Sequence, residues 1–295
     1  MKKQKKLLFG TDPEFFAVEV ADGEASVIPP VAFRLDRGVP VLENGTHPIF
    51  KKYGDSIIHE DGVAFELSTP PSHDWRELWD RVHSIRESFG VDVLSHHSDF
   101  CLPQLFSLPT VNYQVNRWID KGPEYFLCNL FGCDEDEDVY DTKAKHVVVD
   151  ASRHPERYGG GHIHVSGLKE IEKSPLKAVR SMVLTAGLAA TAYTDTPELD
   201  SRRVSLYGRP GKYRVQNYPD GTVGVEYRTP SNRWTENWSL ADKIFTWAEI
   251  GMNNLLVGGL LNDIAKDVEK EAAKAISNFN QKDAKDILSL IESKL

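Results

Sequence analysis

The sequence predicts an α+β fold whose sheet is largely antiparallel, and three observations lead there. Short β-branched and aromatic runs at residues 6–9, 15–20, 63–67, 147–149, 162–166 and 222–228 are bounded in several cases by Gly, Pro or Asp. They are scattered, not evenly alternated with helices. Helical patterns are long and mostly late, at 75–87, 175–193, 240–261 and in the Lys/Ala/Glu-rich tail 262–295. No Gly-x-Gly-x-x-Gly or Gly-Lys-Thr phosphate loop is present, which speaks against a parallel dinucleotide-binding sheet.

Each element has a local reason. The strand at 63–67 follows Gly62, which permits a tight turn or close backbone approach, and Pro70-Pro71 ends it. The polar residues 235–238 lead into the third helix. The acidic run 134–138 reads as a solvated loop. Hydrophobic residues make up 40% of the 295 positions, enough for a full core without disulfides. Aromatic residues are spread evenly, so residues 1–295 read as one catalytic domain with a helical C-terminal tail at 262–295.

Composition also excludes function classes. Lys and Arg total 35 against 44 Asp and Glu, a net charge of -9, which opposes a general nucleic-acid grip. Three cysteines, Cys101, Cys128 and Cys133, form no Cys-x-x-Cys pair and suit a reducing compartment. The apolar stretch after the N-terminal lysines breaks at Gly10, too short for a signal peptide, and the stretches 182–193 and 250–261 fall short of a membrane span. The expectation is a soluble, cytoplasmic protein with no membrane partner and an open oligomeric state.

Four constellations bear chemistry. In Gly10-Thr11-Asp12-Pro13-Glu14-Phe15-Phe16, alternation along a strand puts Asp12 and Glu14 on one face, where they either share a hard cation or form an acidic turn. In the run 59–67, Val63, Phe65 and Leu67 face the core while Glu66 points the other way, a site carboxylate or an ordinary outward Glu. In Tyr158-Gly159-Gly160-Gly161-His162-Ile163-His164-Val165-Ser166, both imidazoles and a hydroxyl line one surface beside a flexible glycine run. The fourth spans Arg202, Arg203, Arg209, Arg214 and the strand with Glu226 and Arg228. There an acid and a guanidinium share a face, and guanidinium forks match phosphate oxygens; a surface ion-pair ladder is the plain alternative.

Together these motifs, running from Gly10 to about Trp234, resemble the glutamine-synthetase-like carboxylate-amine ligases, and among them the phage-encoded COOH-NH2 ligases of type 2, or amidoligases. The resemblance rests on the order of the Pro-Glu-Phe strand, the strand ending in Glu, the His-x-His-x-Ser strand, the arginines five apart and the Glu-x-Arg strand. It implies a glutamine-synthetase-like catalytic domain that uses ATP and two or more Mg2+ or Mn2+ ions to join a carboxylate to an amine, small molecules or peptides, through an acylphosphate. If the chain is phage-encoded, its place would be the host bacterial cytoplasm. Asp12, Glu14, Glu66, His162 and Glu226 are then the metal ligands, with Glu66 also counted as catalytic. Arg209, Arg214 and Arg228 clamp the transferred phosphoryl group, and His164 and Ser166 sit with the nucleotide. Asp61 and His164 are second-rank metal ligands, Glu60 competing with Asp61. Phe131-Gly132-Cys133-Asp134 is also similar to the family. Two rivals stand beside this reading: a metal-dependent hydrolase built on the His-x-His strand, and a non-catalytic binding module on the same fold. No histidine follows His164, which weighs against the first.

Overall fold

The computed structural model describes residues 6–21, 24–36, 38–42, 47–90, 104–113, 118, 121–129, 137–141, 151, 154–218, 221–264 and 266–295. The expected strand 147–149 and the Phe131 to Asp134 motif lie outside these residues, as do Cys101 and Cys133. In chain order the strands are β1 (Leu8–Thr11), β2 (Glu14–Ala21), β3 (Glu24–Ile28), β4 (Ile49–Tyr53), β5 (Ser56–Asp61), β6 (Ala64–Ser68), β7 (Gln104–Phe106), β8 (Thr110–Asn112), β9 (Glu137–Asp138), β10 (Glu156–Tyr158), β11 (Ile163–Ser166), β12 (Lys212–Asn217) and β13 (Val223–Tyr227). They build one sheet in the order β1-β11-β13-β12-β9 and another in the order β3-β2-β6-β5-β4 with β7 on β2, while β8 and β10 pair apart from both. All of these pairings are antiparallel, so the fold is α+β as the sequence predicts.

Period-2 alternation gives both main sheets an apolar and a polar face. In the first sheet Phe9, Ile163, Val165, Val225 and Tyr227 are buried. The rings of Phe9 and Phe245 lie 5.8 Å apart, and a Cβ added to Gly187 would stand 2.2 Å from the Tyr227 hydroxyl, so this face packs against the later helices. His164, Glu226 and Arg214 occupy one cross-strand row on the other face, with Gly10 at its end. In the second sheet Phe65 makes edge contacts with Phe33, Phe50 and Phe89 at 5.5, 5.0 and 5.1 Å. Its neighbours in sequence and register, Glu66 and Glu14, therefore turn away from that core.

The helices follow the sequence pattern with local departures. Trp75–Phe89 starts where the Asp74 carboxylate accepts the Arg76 N–H, and it buries Leu78, Val82, Ile85 and Phe89 at helical spacing. The expected helix 175–193 is Pro175–Met182 and Leu188–Tyr193 joined by a π segment, Val183–Gly187. The next runs Trp238–Ile250 with a π segment Gly251–Val257, and Gly259 at φ 80 ends it ahead of the short turn Leu260–Asp263. The tail splits into Lys266–Ser277 and Gln281–Glu292 at Phe279, with φ 51, because the Asn280 side chain accepts the N–H groups of Lys282 and Asp283 and restarts the helix. Arg180 forms a two-pronged ion pair with Glu269 and ties that tail to the body. Within the acidic run, Glu137 and Asp138 form the edge strand β9 in register with Tyr213 and Lys212, a departure from the expected loop.

Candidate functional site

The site lies where the two main sheets join. β1 ends at Thr11 and β2 starts at Glu14, so Asp12-Pro13 is the whole connection. The expectation that Asp12 and Glu14 share a strand face gives way here: Pro13 interrupts the strand, and each carboxylate serves a different sheet.

Asp12 joins His164 and Glu226, and the three offer ligand atoms within 4.8 Å of one another. His164 and Glu226 are direct cross-strand partners, and Asp12 Oδ2 lies 3.2 Å from His164 Nε2. Gly10 is the strand partner of His164, and a Cβ there would press on the His164 Cβ at 3.3 Å. Glu14 joins Asp61 and Glu66 in a second trio, again within 4.8 Å. Glu14 pairs with Glu66 across β2 and β6, and Asp61 closes β5 at the turn that Gly62 makes with φ 54. The neighbouring Glu60 is buried and faces Arg34 at 3.6 Å, so of the two adjacent acids Asp61 belongs to the site.

The two trios differ in charge balance. Burial opposes ionisation of Asp12, yet the adjacent His164 and His162 hold its carboxyl far below the usual range. Burial likewise opposes a charged His164, but Asp12 and Glu226 push it up to about 9. Glu226 is held down against burial and Asp12 by His162, His164 and Arg228. In the second trio burial pushes Glu14 up, burial and Glu66 push Asp61 up to about 8, and burial with Asp12, Glu14 and Glu226 pushes Glu66 well up. The first trio is thus balanced by imidazoles, whereas the second has more carboxylate than compensating charge.

The other expected residues divide. Arg228 is 1% exposed, and its Nη1 pairs with Glu226 while Nη2 donates to the Tyr207 hydroxyl at 2.8 Å. Arg214, the cross-strand partner of Glu226, lies 3.9 Å from Glu226 Oε1. Arg209 stands apart: it is exposed and reaches the Ser205 carbonyl at 3.5 Å, on the end of helix Pro197–Leu206. Buried Arg203 donates to the carbonyls of Thr229 and Arg228 at 2.6 and 3.1 Å, holding the backbone that presents Arg228. Ser166 is buried on the His164 face two residues along β11, opposite Leu8. His162, just ahead of β11, places Nδ1 3.1 Å from Asp12 Oδ1 and 3.3 Å from Glu226 Oε1. Four residues unforeseen in the sequence complete the site. Tyr207 touches His162 and Glu14 at 3.0 and 3.4 Å; Gln216 donates to Glu226 Oε2 at 2.5 Å; Asn232 donates to the Glu14 carbonyl at 2.7 Å; and His59 lies 3.4 Å from Glu66. Gln216 was within reach of alternation, two residues after Arg214 on β12.

The three glycines serve close approach rather than flexibility. A Cβ on Gly159 would lie 2.3 Å from Asn232 Nδ2, on Gly160 2.4 Å from His162 Nε2, and on Gly161 2.3 Å from the Ser231 carbonyl. The Gly160 N–H meanwhile donates to Glu14 Oε2 at 2.8 Å. Gly161→Ala, which meets backbone, should destabilise the fold by about 3 kcal/mol. Gly90→Ala, with nothing within 4 Å, is the control and should leave the melting temperature near wild type.

No family model and no curated protein matches this chain.

The donor set itself tests whether divalent ions fit. Five carboxylates and one imidazole make up the trios, the hard oxygen-rich set that suits Mg2+ or Mn2+ better than zinc. His164 Nε2 is buried 3.2 Å from Asp12 Oδ2 without a hydrogen-bond partner, a ring nitrogen whose lone pair would be open to a cation once its proton is displaced. Millimolar Mn2+ should accordingly raise the melting temperature; saturation at a hundredfold over Kd corresponds to about 2.7 kcal/mol, or roughly 5 °C for a chain of this size.

Proposed function

We propose that this chain is an ATP-dependent carboxylate-amine ligase that activates its carboxylate as an acylphosphate and releases ADP and phosphate. The observation that supports this most is the pair of ligand trios, one from each sheet, joined by Asp12-Pro13 with the Arg228 guanidinium on Glu226 beside them. Asp12, His164 and Glu226 would hold one divalent ion and Glu14, Asp61 and Glu66 the other. Two such ions neutralise the charge of a triphosphate during phosphoryl transfer.

The chain's own residues do the rest. A carboxylate is too poor an electrophile to accept an amine, so its oxygen first attacks the γ-phosphorus and ADP leaves. Arg228 and Arg214 supply guanidinium forks for the phosphoryl oxygens in that step. The amine then attacks the acyl carbon, phosphate leaves with the C–O bonding pair, and the amine gives up a proton. Buried groups around the trios limit water, which would otherwise consume the acylphosphate.

A trap tests the reading whatever the native amine is, because hydroxylamine takes its place. Incubation with ATP, Mg2+, hydroxylamine and a panel of amino-acid and peptide carboxylates should give a hydroxamate with equimolar ADP and phosphate. AMP and pyrophosphate as stoichiometric products would overturn it.

A further inference from the structure

A buried arginine outside both trios ties together the stretches of chain that present two of the site carboxylates. Arg157 is the middle residue of β10 and is 2% exposed. Its guanidinium lies over the Tyr113 ring, 4.3 Å from the centroid. Nη1 donates to the carbonyls of His154 and Glu156 at 2.8 and 2.9 Å, and Nη2 to those of Cys128 and Ala151 at 2.9 and 3.2 Å. Burial opposes the charge of this group, and the four carbonyl oxygens offset that cost. A planar fork with five donors suits such a cradle, whereas a lysine ammonium, a point charge with three, does not span it.

Two arms lead from that fork to the second trio. One runs through Cys128, whose carbonyl Arg157 holds and whose thiol donates to the Gly62 carbonyl at 3.7 Å. Gly62, at φ 54, makes the turn that follows Asp61. The other arm runs three residues along the chain to Gly160. Its N–H donates to Glu14 Oε2 at 2.8 Å, and its carbonyl accepts the Glu14 N–H at 2.9 Å. Pairing of β10 with β8 stiffens this arm, extended by the Tyr113 N–H on the Pro155 carbonyl at 2.7 Å and the Gly159 N–H on the Pro109 carbonyl at 3.0 Å. We propose that Arg157 is a positioning residue for the second cation, fixing from outside the trio how far apart Glu14 and Asp61 stand. The cation consequence rests on the reading given under Proposed function; the link from Arg157 to Gly160 does not. In the first trio, the register of β1, β11 and β13 places His164 and Glu226, so a change at Arg157 should separate the two sites. Outer partners of metal ligands commonly govern affinity by about tenfold or more.

Mn2+ titration of the full chain by calorimetry tests the separation. Arg157→Lys should keep one site near wild-type affinity and weaken the other by about tenfold or more. The site that it keeps should survive an added Glu66→Gln and vanish with an added Asp12→Asn. Cys128→Ala leaves the carbonyl that Arg157 holds and removes only the thiol from Gly62. It should weaken the same site by a smaller factor, and it carries the test if the lysine variant does not fold. Hydrogen exchange of the metal-free chain gives a second readout: the Gly160 amide should exchange at least about tenfold faster in Arg157→Lys, with the β11 amides unchanged. Equal weakening of both sites in Arg157→Lys, full retention of both in either variant, or an unchanged Gly160 amide in Arg157→Lys would each overturn the proposal. A wild type that takes up no Mn2+, together with a faster Gly160 amide in Arg157→Lys, supports the positioning role and overturns the two-cation reading instead.

Discussion

Replacing Arg228 with Lys should cut single-turnover ADP formation by about 10^3-fold or more, the usual worth of an arginine in phosphoryl transfer, while ATP affinity changes much less. Lysine keeps the charge but not the planar fork that reaches Glu226 and Tyr207 together. Arg228→Ala should match that kinetic loss and add a second effect. Glu226 is wholly buried, and without its guanidinium it faces Asp12 with less compensation. Breaking a buried pair by removing one partner costs about 3 kcal/mol or more, so the alanine variant should melt well below the lysine variant. Normal turnover in both variants would make the Glu-x-Arg strand structural and remove a main support of the ligase reading.

Glu66→Gln should separate function from stability in the opposite direction. Burial and the neighbouring carboxylates raise the Glu66 carboxyl well above its ordinary value, so the folded state resists an ionisation that the unfolded chain accepts. Above the unfolded value that resistance subtracts from stability, and an isosteric amide removes it. At neutral pH without metal, Glu66→Gln should therefore melt above wild type, by about 2 °C for each kcal/mol recovered. It should also lose nearly all ADP formation and most of the Mn2+-dependent rise in melting temperature. Glu14→Gln should behave alike, and the double variant should be little worse than either single one in turnover, because ligands of one site act as a unit. Near-normal turnover of Glu66→Gln at saturating Mg2+ would place the second cation elsewhere.

Alternation makes much of this legible in the sequence. Phe15, Phe65, Val225 and Tyr227 declare the apolar faces, so Glu14, Glu66, Glu226, Arg228 and His164 had to lie on the other side. What the period could not supply was register and termination. Glu60 and Asp61 are adjacent acids, and only the pairing of Glu60 with Phe65 and of Asp61 with Ala64 decides which one turns toward Glu14. The break at Pro13 sends Asp12 to one sheet and Glu14 to the other, which a reading of one continuous strand hides. The resemblance names Arg209 as a clamp from the arginines five apart, but spacing alone does not give the point at which helix Pro197–Leu206 ends, which leaves Arg209 exposed against the Ser205 carbonyl. The glycine run was legible as a special place, but its reason, three close backbone and side-chain approaches, exists only in three dimensions.

The most direct measurement is the number of Mn2+ ions bound per chain in the presence of a non-hydrolysable ATP analogue, counted by electron paramagnetic resonance. Two trios on adjoining sheets predict two ions close enough for their spins to couple, with the coupling lost in both Asp12→Asn and Glu66→Gln. A single uncoupled ion, or two coupled ions that survive both substitutions, would contradict the account.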